Sequence, residues 1–459
     1  MKLISAGAAQ TVTGSCHYFE INGLKLLVDC GLFQGRKEVS DLNLEPFPFN
    51  PSDLDAVLVT HGHLDHIGRL PVLIKQGYSG PIFTLDSTHK IAEVILLDAA
   101  KIQNEDYERD LRRAQRSGRE HEVQEPLYRE EDVVATLKQF RAVSFEKALD
   151  LGKGVSATFY AAGHILGSAF IELDSPDGRI LCSGDLGNRE SSIQADFKLP
   201  RPCDAVLVES TYANRTHRSL EATLNEFGQV LKESLKSGGK VMIPSFALER
   251  TQAILYNLKK MQERGEIPKM PIFLDSPMAT KMTKFYENSA NEFIPEIADA
   301  LKQGREPFEP QTLSYAVTVE ESKNINEYQG QAIIVAGSGM MTGGRILHHL
   351  KHNLWRKEAS LVVVGYQAEG TLGRLLIDGA NRVRIFGEDI QVRASRHTIN
   401  GFSAHADQDD LLEWLNHTEK AHIYMVHGEV SVMTEFERIL HDRGREALMV
   451  ARNQPYLLG

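Results

Sequence analysis

The segment HGHLDH, residues 61–66, places three imidazoles and one carboxylate within six residues, directly after an apolar stretch. Nitrogen and oxygen donors grouped in this way form a ligand set that suits borderline metals such as zinc. The structural alternative is a polar surface loop, but histidine is scarce and this spacing seldom arises by chance. Gly62 would let the loop turn tightly around an ion. The segment therefore predicts a metal site.

Polar residues also stand at the ends of three other predicted strands. Asp29 ends LKLLVD, His164 follows ATFYAAG, and Asp185 follows RILCSG. In a layered α/β fold, the ends of neighbouring strands on one edge of a sheet meet in space. Each residue alone is typical of a turn, as an aspartate before glycine usually is. Together with residues 61–66 they predict one site.

Short apolar strands have to position these residues. KLISAG, HYFEI and LKLLVDCG predict strands, the last two joined by an Asn22-Gly23 hairpin turn. DAVLVT, residues 55–60, predicts a strand buried on both faces that leads into HGHLDH. Residues 87–140 predict charged amphipathic helix with a break near Ser117-Gly118. The segments ATFYAAGH, AFIEL, RILCSGD and DAVLVEST return to strand patterns.

A second pattern begins near Tyr212, where helices alternate with the apolar strands KVMIPSF, PIFLDS, AIIVAGSG and SLVVVGY. This alternation predicts a doubly wound parallel sheet. Near Ile399 the pattern changes again, to GFSAHAD, a helix and HIYMVHGE. We therefore predict a second domain, residues 212–395, inserted into a first domain formed by residues 1–211 and 396–459, with boundaries good to several residues.

The composition is that of an ordinary globular protein, with 42% hydrophobic and 25% charged residues among 459. A net charge of −11 argues against a protein that coats nucleic acid through a global positive field, but it allows a local basic groove and metal ions. The four cysteines form no CxxC pair, so we expect reduced thiols and a cytoplasmic location. A signal peptide and a membrane span are not expected.

The residues in the first part of the chain resemble a known superfamily. Asp29, HGHLDH, His164 and Asp185 are similar, in this order, to the four motifs of the metallo-β-lactamase superfamily. The resemblance implies an αββα sandwich.

Three later motifs narrow the resemblance. Glu209 in LVESTY, His405 in GFSAHAD and His427 in VHGE resemble motifs A, B and C of the β-CASP subfamily, the nucleic-acid-processing branch. PSFALERTQ and GSGMMTGGR are also similar to that branch. The implied relatives are the endonuclease subunit of the messenger-RNA cleavage and polyadenylation machinery and its short bacterial and archaeal homologues. The implied fold is an αββα sandwich with an inserted doubly wound parallel-sheet β-CASP domain.

The resemblance implies two zinc ions per chain. One ion would be held by His61, His63 and His164, and the other by Asp65, His66 and His427. Asp185 would bridge the two ions, which at about 3.5–4 Å apart can share a hydroxide and hold a phosphate oxygen. For Asp29 two roles stay open: orienting a ligand histidine or only ending its strand.

The resemblance leaves Glu209 and His405 outside the ligand sets. His405 would donate a proton to the leaving alkoxide, and Glu209 would hold its orientation and raise its pKa. The alternative for Glu209 is the capping of a following turn. With Asp65 and Asp185 these two residues form the expected catalytic set.

The glycine-rich segment GSGMMTGGR follows a strand and opens a predicted helix, which is typical of a phosphate cradle. Ser338, Gly339, Arg345 and Ser403 are the candidate RNA or phosphate contacts. Further arginines either line a groove for the nucleic-acid backbone or form solvated strand faces: Arg374, Arg382, Arg384, Arg393 and Arg396. For His348, His349 and His352 a solvated helix face is favoured over a metal site.

The predicted function is a zinc-dependent ribonuclease. It would act as an endonuclease, with 5′ exonuclease action left open, through two-metal hydroxide attack that leaves a 5′ phosphate and a 3′ hydroxyl. The expected substrate is RNA, because RNA-acting members of the family tend to have histidine at motif C, as His427 is here. Single strands are expected because a narrow metal cleft does not admit a duplex easily.

The alternatives to this function are a DNA-acting nuclease of the same family, a small-molecule metallohydrolase and a non-catalytic RNA-processing scaffold. The long insert argues against the small-molecule enzyme, and the filled ligand positions argue against the scaffold. The oligomeric state is left open by the sequence, a homodimer included.

Overall fold

The computed structural model of the chain describes residues 1–365, 367–368, 370–418 and 420–458. Contacts between Cα atoms divide the chain into two compact units. Unit 1 consists of Met1–Gly187, Asp196–Thr216 and His405–Gly459, and unit 2 consists of Asn188–Ala195 and His217–Ala404. Unit 2 is therefore an insertion in the sequence of unit 1.

The strands of the first part of unit 1 are β1 (Lys2–Gly7), β2 (Cys16–Ile21), β3 (Leu24–Val28), β4 (Ala56–Leu58), β5 (Ile82–Leu85), β6 (Phe140–Val143), β7 (Leu149–Gly152), β8 (Val155–Ala161), β9 (Ala169–Ser175), β10 (Gly178–Cys182) and β11 (Ala205–Glu209). Those of unit 2 are β12 (Lys240–Pro244), β13 (Ile272–Asp275), β14 (Leu313–Tyr315), β15 (Ala332–Ala336), β16 (Ser360–Val363), β17 (Arg382–Ile385), β18 (Glu388–Gln391) and β19 (Ser395–Thr398). Unit 1 then continues with β20 (His422–Val426), β21 (Ala447–Met449) and β22 (Pro455–Leu457).

The helices of the first part of unit 1 are α1 (Lys37–Ser40), α2 (Leu64–Ile67), α3 (Leu70–Lys75), α4 (Asp86–Gln115) and α5 (Glu130–Leu137). Those of unit 2 are α6 (Leu220–Lys236), α7 (Arg250–Glu263), α8 (Pro277–Glu287), α9 (Pro295–Lys302), α10 (Val319–Glu327), α11 (Ile346–Asn353) and α12 (Leu372–Ile377). The last part of unit 1 adds α13 (Gln408–Asn416) and α14 (Val430–Asp442). No described helix is long and apolar enough to span a bilayer.

Unit 1 is built on two sheets, with the orders β22-β1-β2-β3-β4-β5-β6 and β21-β20-β11-β10-β9-β8-β7. Apolar side chains from both sheets, such as Phe19 and Ile171, share one buried core. The outer face of the first sheet packs with α3, α4 and α5, and that of the second packs with α13 and α14 around Trp414. These four layers confirm the expected αββα sandwich.

The β2–β3 hairpin shows how local sequence sets this architecture. Ile21 pairs with Leu24, and the intervening Asn22 and Gly23 have φ angles of 44° and 74°. Both residues tolerate the positive φ that a tight two-residue hairpin turn requires. The predicted Asn22-Gly23 turn is therefore confirmed.

Unit 2 contains a sheet of order β14-β13-β15-β12-β16-β19 in which all neighbouring strands are parallel. Helices α6, α7 and α8 bury residues such as Phe227 on one face. Helices α10, α11 and α12 bury residues such as Leu350 on the other face. This arrangement confirms the doubly wound parallel sheet. Strands β17 and β18 form a separate antiparallel hairpin.

Two details differ from the sequence expectations. The helical stretch expected over residues 87–140 contains α4, which ends at Gln115 next to the expected break, and α5, but its last residue, Phe140, begins β6 because it pairs with β5. The domain boundary expected after residue 395 falls inside β19, which pairs with β16 and so belongs to unit 2. The glycine-rich segment stands where it was expected, because its residues 337–345 form the whole connection between β15 and the first residue of α11.

Candidate metal centre

The HGHLDH segment begins three residues after β4 and continues into α2. The preceding loop presses against it: a Cβ on Gly31 would lie 1.5 Å from the backbone oxygen of Asp65. Gly62 does not have a positive φ, so the expected tight turn does not explain why glycine stands at this position. A Cβ there would instead lie 2.5 Å from Ile91 on α4, and glycine is needed for this close packing.

Four side chains form the first ligand group, with donor atoms within 4.8 Å of one another: His61, His63, His164 and Asp185. His61 Nε2 lies 3.0 Å from His63 Nδ1, which lies 3.3 Å from His164 Nε2. Asp185 Oδ2 lies 3.5 Å from His61 Nε2 and 3.7 Å from His164 Nε2. Three imidazole nitrogens and one carboxylate oxygen thus converge on a single point.

The second group consists of Asp65, His66 and His427. His427 Nε2 lies 3.4 Å from both Asp65 Oδ2 and His66 Nε2. The other oxygen of Asp185, Oδ1, lies 3.3 Å from His66 Nε2 and 3.7 Å from His427 Nε2. The structure therefore brings together the seven residues that the sequence predicted as ligands.

Asp185 stands between the two groups and is 2% exposed. Its Oδ1 is buried without a hydrogen-bond partner among the described residues. Burial opposes ionisation of this carboxyl, but the neighbouring His427, His66 and His61 hold its pKa well below the usual range. An ionised, orphaned carboxylate among imidazoles fits a site for cations of the zinc type.

Hydrogen bonds to the far side of the ligand rings hold two histidines in orientation. Asp29 Oδ2 lies 2.8 Å from His66 Nδ1, and Thr60 donates to both oxygens of Asp29. Thr60 Oγ1 also lies 3.1 Å from His61 Nδ1. Such contacts fix the ring so that the opposite nitrogen faces the metal. The contact with His66 supports the orienting role of Asp29.

A hydroxyl that sequence reasoning missed holds His427 in the same way. Thr211 Oγ1 lies 3.0 Å from His427 Nδ1. His427 has a φ of 51°, so its backbone is held in a conformation that is unfavourable for a non-glycine residue. Thr60, which was also missed, directly precedes the HGHLDH motif, and that position was the available signal. Thr211 lies in the LVESTY segment, two residues after Glu209, but its partner His427 is 216 residues away, so the contact itself left no local signal.

Glu209 and His405 form a pair beside the ligand groups. His405 Nδ1 lies 3.3 Å from each carboxylate oxygen of Glu209 and 3.9 Å from Asp185 Oδ2. Glu209 is fully buried at the end of β11, and its Oε1 accepts a hydrogen bond of 2.7 Å from the backbone of Leu186. Burial disfavours the charged form of His405, but the Glu209 carboxylate outweighs it and raises the pKa to about 9.

The candidate phosphate contacts belong to unit 2. Ser338 lies in the loop after β15, where its Oγ is 3.3 Å from Thr342 Oγ1. A Cβ on the neighbouring Gly339 would lie 2.7 Å from the ring of Phe246. Ser403 is half-buried, and its backbone oxygen accepts from Asn188. An RNA contact by these residues stays a prediction.

Arg345 has internal partners that account for its position. Its guanidinium donates to Asp275 Oδ1 at 2.7 Å and to the backbone oxygens of Ala316 and Val317 at 2.9 and 2.7 Å. These bonds anchor the loop of residues 337–345 to neighbouring strands. These contacts support a structural role for Arg345. They do not support the expected phosphate contact, which stays a prediction.

His349 corrects the interpretation of the three histidines on α11. It is fully buried, whereas a solvated helix face was expected. Its Nε2 lies 2.7 Å from Asp275 Oδ2 and its Nδ1 lies 3.0 Å from Asn326 Oδ1. The polar network beneath the helix, which the sequence does not display, explains the difference.

An αββα sandwich with a histidine-rich centre at its strand ends is the architecture of metal-dependent hydrolases of the metallo-β-lactamase superfamily. Three family models match the chain: the metallo-beta-lactamase superfamily over residues 10–78, the Beta-Casp domain over residues 251–376, and the Zn-dependent metallo-hydrolase RNA specificity domain over residues 389–450.

Relatives that match more than nine-tenths of this chain agree with these family models. The chain is 42% identical over 446 residues to ribonuclease TTHA0252 of Thermus thermophilus, with 97% of each chain covered. It is 30% identical to the transcription termination factor FttA of Methanocaldococcus jannaschii, covering 94% of this chain and 67% of the relative. The chain belongs to the β-CASP family of the metallo-β-lactamase superfamily, and it is a metal-dependent hydrolase.

A solved structure of a protein of unknown function from Enterococcus faecalis V583 has a similar fold. It covers 100% of this chain and 99% of its own, with a TM-score of 0.55 and 13% identity. At this identity the likeness describes the fold alone.

We predict that Thr211→Val loosens metal binding, because His427 loses the hydroxyl that orients its ring. Loss of such an orienting contact typically lowers metal affinity about 10- to 100-fold. Competition with a chromophoric chelator measures the change. Thr211→Ser keeps the hydroxyl and serves as the control, so equal losses in both variants would assign the residue to packing instead.

Proposed function

We propose that the chain is a zinc-dependent ribonuclease that hydrolyses phosphodiester bonds of single-stranded RNA. The observation that carries the proposal is the complete ligand set combined with a separate Glu209–His405 pair. Similarity to a ribonuclease over nearly the whole length and the match to an RNA specificity domain support RNA as substrate. The free cysteine thiols support a cytoplasmic location.

We propose two zinc ions per chain, one in each ligand group. The division of the donors into a group around His63 and a group around His427, with one oxygen of Asp185 directed to each, supports this number. Zinc ions held there would act as Lewis acids toward a phosphate oxygen and would make bound water a nucleophile at neutral pH. Asp29, Thr60 and Thr211 would keep the ligand rings aligned.

His405 is proposed as the general acid. Its side chain is 21% exposed, whereas those of Glu209 and Asp185 are buried. Of these three side chains, His405 is therefore the one that a substrate can contact. Glu209 holds the Nδ1 side of the ring and stabilises the protonated form, and in the proposed reaction Nε2 donates the proton to the departing sugar oxygen. The products would be a 5′ phosphate and a 3′ hydroxyl, from endonucleolytic and also 5′ exonucleolytic cleavage.

The choice of substrate is tested with end-labelled single-stranded RNA and DNA of the same sequence. We expect the RNA to be cut faster, a chelator to stop the reaction, and added zinc to restore it. A His63→Ala variant is the control for contaminating nuclease, because it removes one ligand of the first group. Equal rates on the two polymers, or full activity in the control, would refute the ribonuclease proposal.

The role of His405 is tested by comparing two leaving groups. His405→Ala should lower the rate on RNA by about 10²–10⁴-fold, the usual contribution of a positioned general acid. A phosphodiester with a nitrophenolate leaving group scarcely needs a proton, so the variant should lose far less activity on it. Metal content should not change. Equal losses on both substrates, or loss of metal, would show that His405 is not the acid.

A further inference from the structure

The hairpin of β17 and β18 in unit 2 carries a row of arginines on one face. Along β17 the side chains alternate: Val383 and Ile385 are buried, while Arg382 and Arg384 are exposed. Successive side chains of a strand point to opposite faces, so the two arginines share the outer face. Arg393, exposed just after β18, lies beside them, since its Nε donates to Gln391, the cross-strand neighbour of Arg382. We call Arg382, Arg384 and Arg393 the arginine face.

These three cations differ from the other arginines of the same region. Arg374 pairs with Asp378 at 2.9 Å, and Arg396 donates to two backbone oxygens. Within the described chain, no member of the arginine face makes an ion pair, although Asp389 stands opposite Arg384 in the β17–β18 register. The Nε of Arg384 donates a hydrogen bond to the backbone oxygen of Gly387. The guanidinium groups otherwise point to solvent, on a chain whose net charge is −11.

An exposed aromatic ring lies in the turn of the same hairpin. Phe386, in the turn of the hairpin, is 54% exposed and has a φ of 50°. Its ring lies 4.6 Å from the ring of His348 on α11, which supports it from one side. A large apolar side chain presented to water at a strained turn contributes little to the core. An exposed ring and unpaired cations on one hairpin are the combination that single-stranded nucleic acids use, with bases on aromatic faces and phosphates on cations.

We propose that the arginine face and Phe386 form an accessory contact for single-stranded RNA, outside the metal centre. The arginines hold successive backbone phosphates, and Phe386 stacks with a base. The inference rests on the proposed ribonuclease function for the identity of the polymer. Its consequence is that long RNA is held more tightly than a substrate that occupies the metal centre alone.

The test compares two triple variants of the full-length, metal-loaded protein. R382Q/R384Q/R393Q removes the arginine face, and R112Q/R113Q/R116Q removes three exposed arginines at the end of α4 in unit 1. Both variants change the net charge equally. For RNA of about 30 nucleotides, we expect the first to raise KM about tenfold with little change in kcat. Its log–log salt dependence should become shallower by about 2, since each single-strand phosphate contact contributes about 0.7.

The contact of Phe386 with RNA is tested by a separate pair of matched variants. Phe386→Ala should weaken binding of the same RNA by about tenfold, while Phe386→Tyr keeps a stacking ring and should bind normally. Hydrolysis of a nitrophenyl phosphodiester should be the same in all variants. An equal effect of the α4 variant, or unchanged RNA affinity in R382Q/R384Q/R393Q, would overturn the accessory contact.

Binding is also measured directly, by fluorescence anisotropy with labelled RNA. If the wild-type chain binds this RNA through the arginine face but does not cut it, the proposed ribonuclease function fails and the accessory contact stands. If the wild-type chain cuts RNA while R382Q/R384Q/R393Q binds RNA normally, the ribonuclease function stands and the accessory contact fails.

Discussion

The carboxylate of Asp185 is an anion buried between two sets of imidazoles, and the site depends on it. Burying a charge without compensation is costly, so this arrangement requires cations nearby. His61, His66 and His427 supply part of that charge when protonated, and metal ions supply it when the rings are neutral ligands. Removing Asp185 would leave each ligand group without the carboxylate oxygen that is directed to it. Metal ions bound at this centre would compensate its buried charge, and a metal cofactor is also what a hydrolase of this family requires.

Close backbone contacts are what hold the ligands in place. The loop after β3 packs against Asp65 so tightly that only glycine fits at Gly31, and its Cys30 amide donates to the backbone oxygen of His66. Asp29 and His427 adopt φ angles of 60° and 51°, each of which costs about 1–3 kcal/mol in a non-glycine residue. Such strain persists where the surrounding structure fixes it, as strand ends packed on both sides do here. These backbone contacts and hydrogen bonds therefore set the positions of the ligand side chains.

The HGHLDH spacing is local, and His164 and Asp185 follow apolar strands, so the sequence itself predicted a metal site with these residues. His427 and the division into two ligand sets came from the resemblance to the family. The sequence could not reveal Thr211 or the buried His349, because a side-chain partner that lies far away in sequence leaves no local pattern. Hairpin and sheet types followed from periodicity and turn residues. The end of the inserted domain could not be predicted from the sequence pattern. The pairing of β19 with β16, and not composition, decides that β19 belongs to unit 2. The arginines near residue 390 were visible in sequence, but only the structure separates the paired ones from the exposed ones.

Crystals of the zinc-loaded protein, measured at the zinc absorption edge, test the central claim directly. The account predicts two anomalous peaks about 3.5–4 Å apart, the spacing of a two-metal hydrolase centre. One peak should lie among His61, His63 and His164 and the other among Asp65, His66 and His427, with one oxygen of Asp185 on each. A single fully occupied peak, or two peaks of which Asp185 contacts only one, would contradict the shared-carboxylate centre.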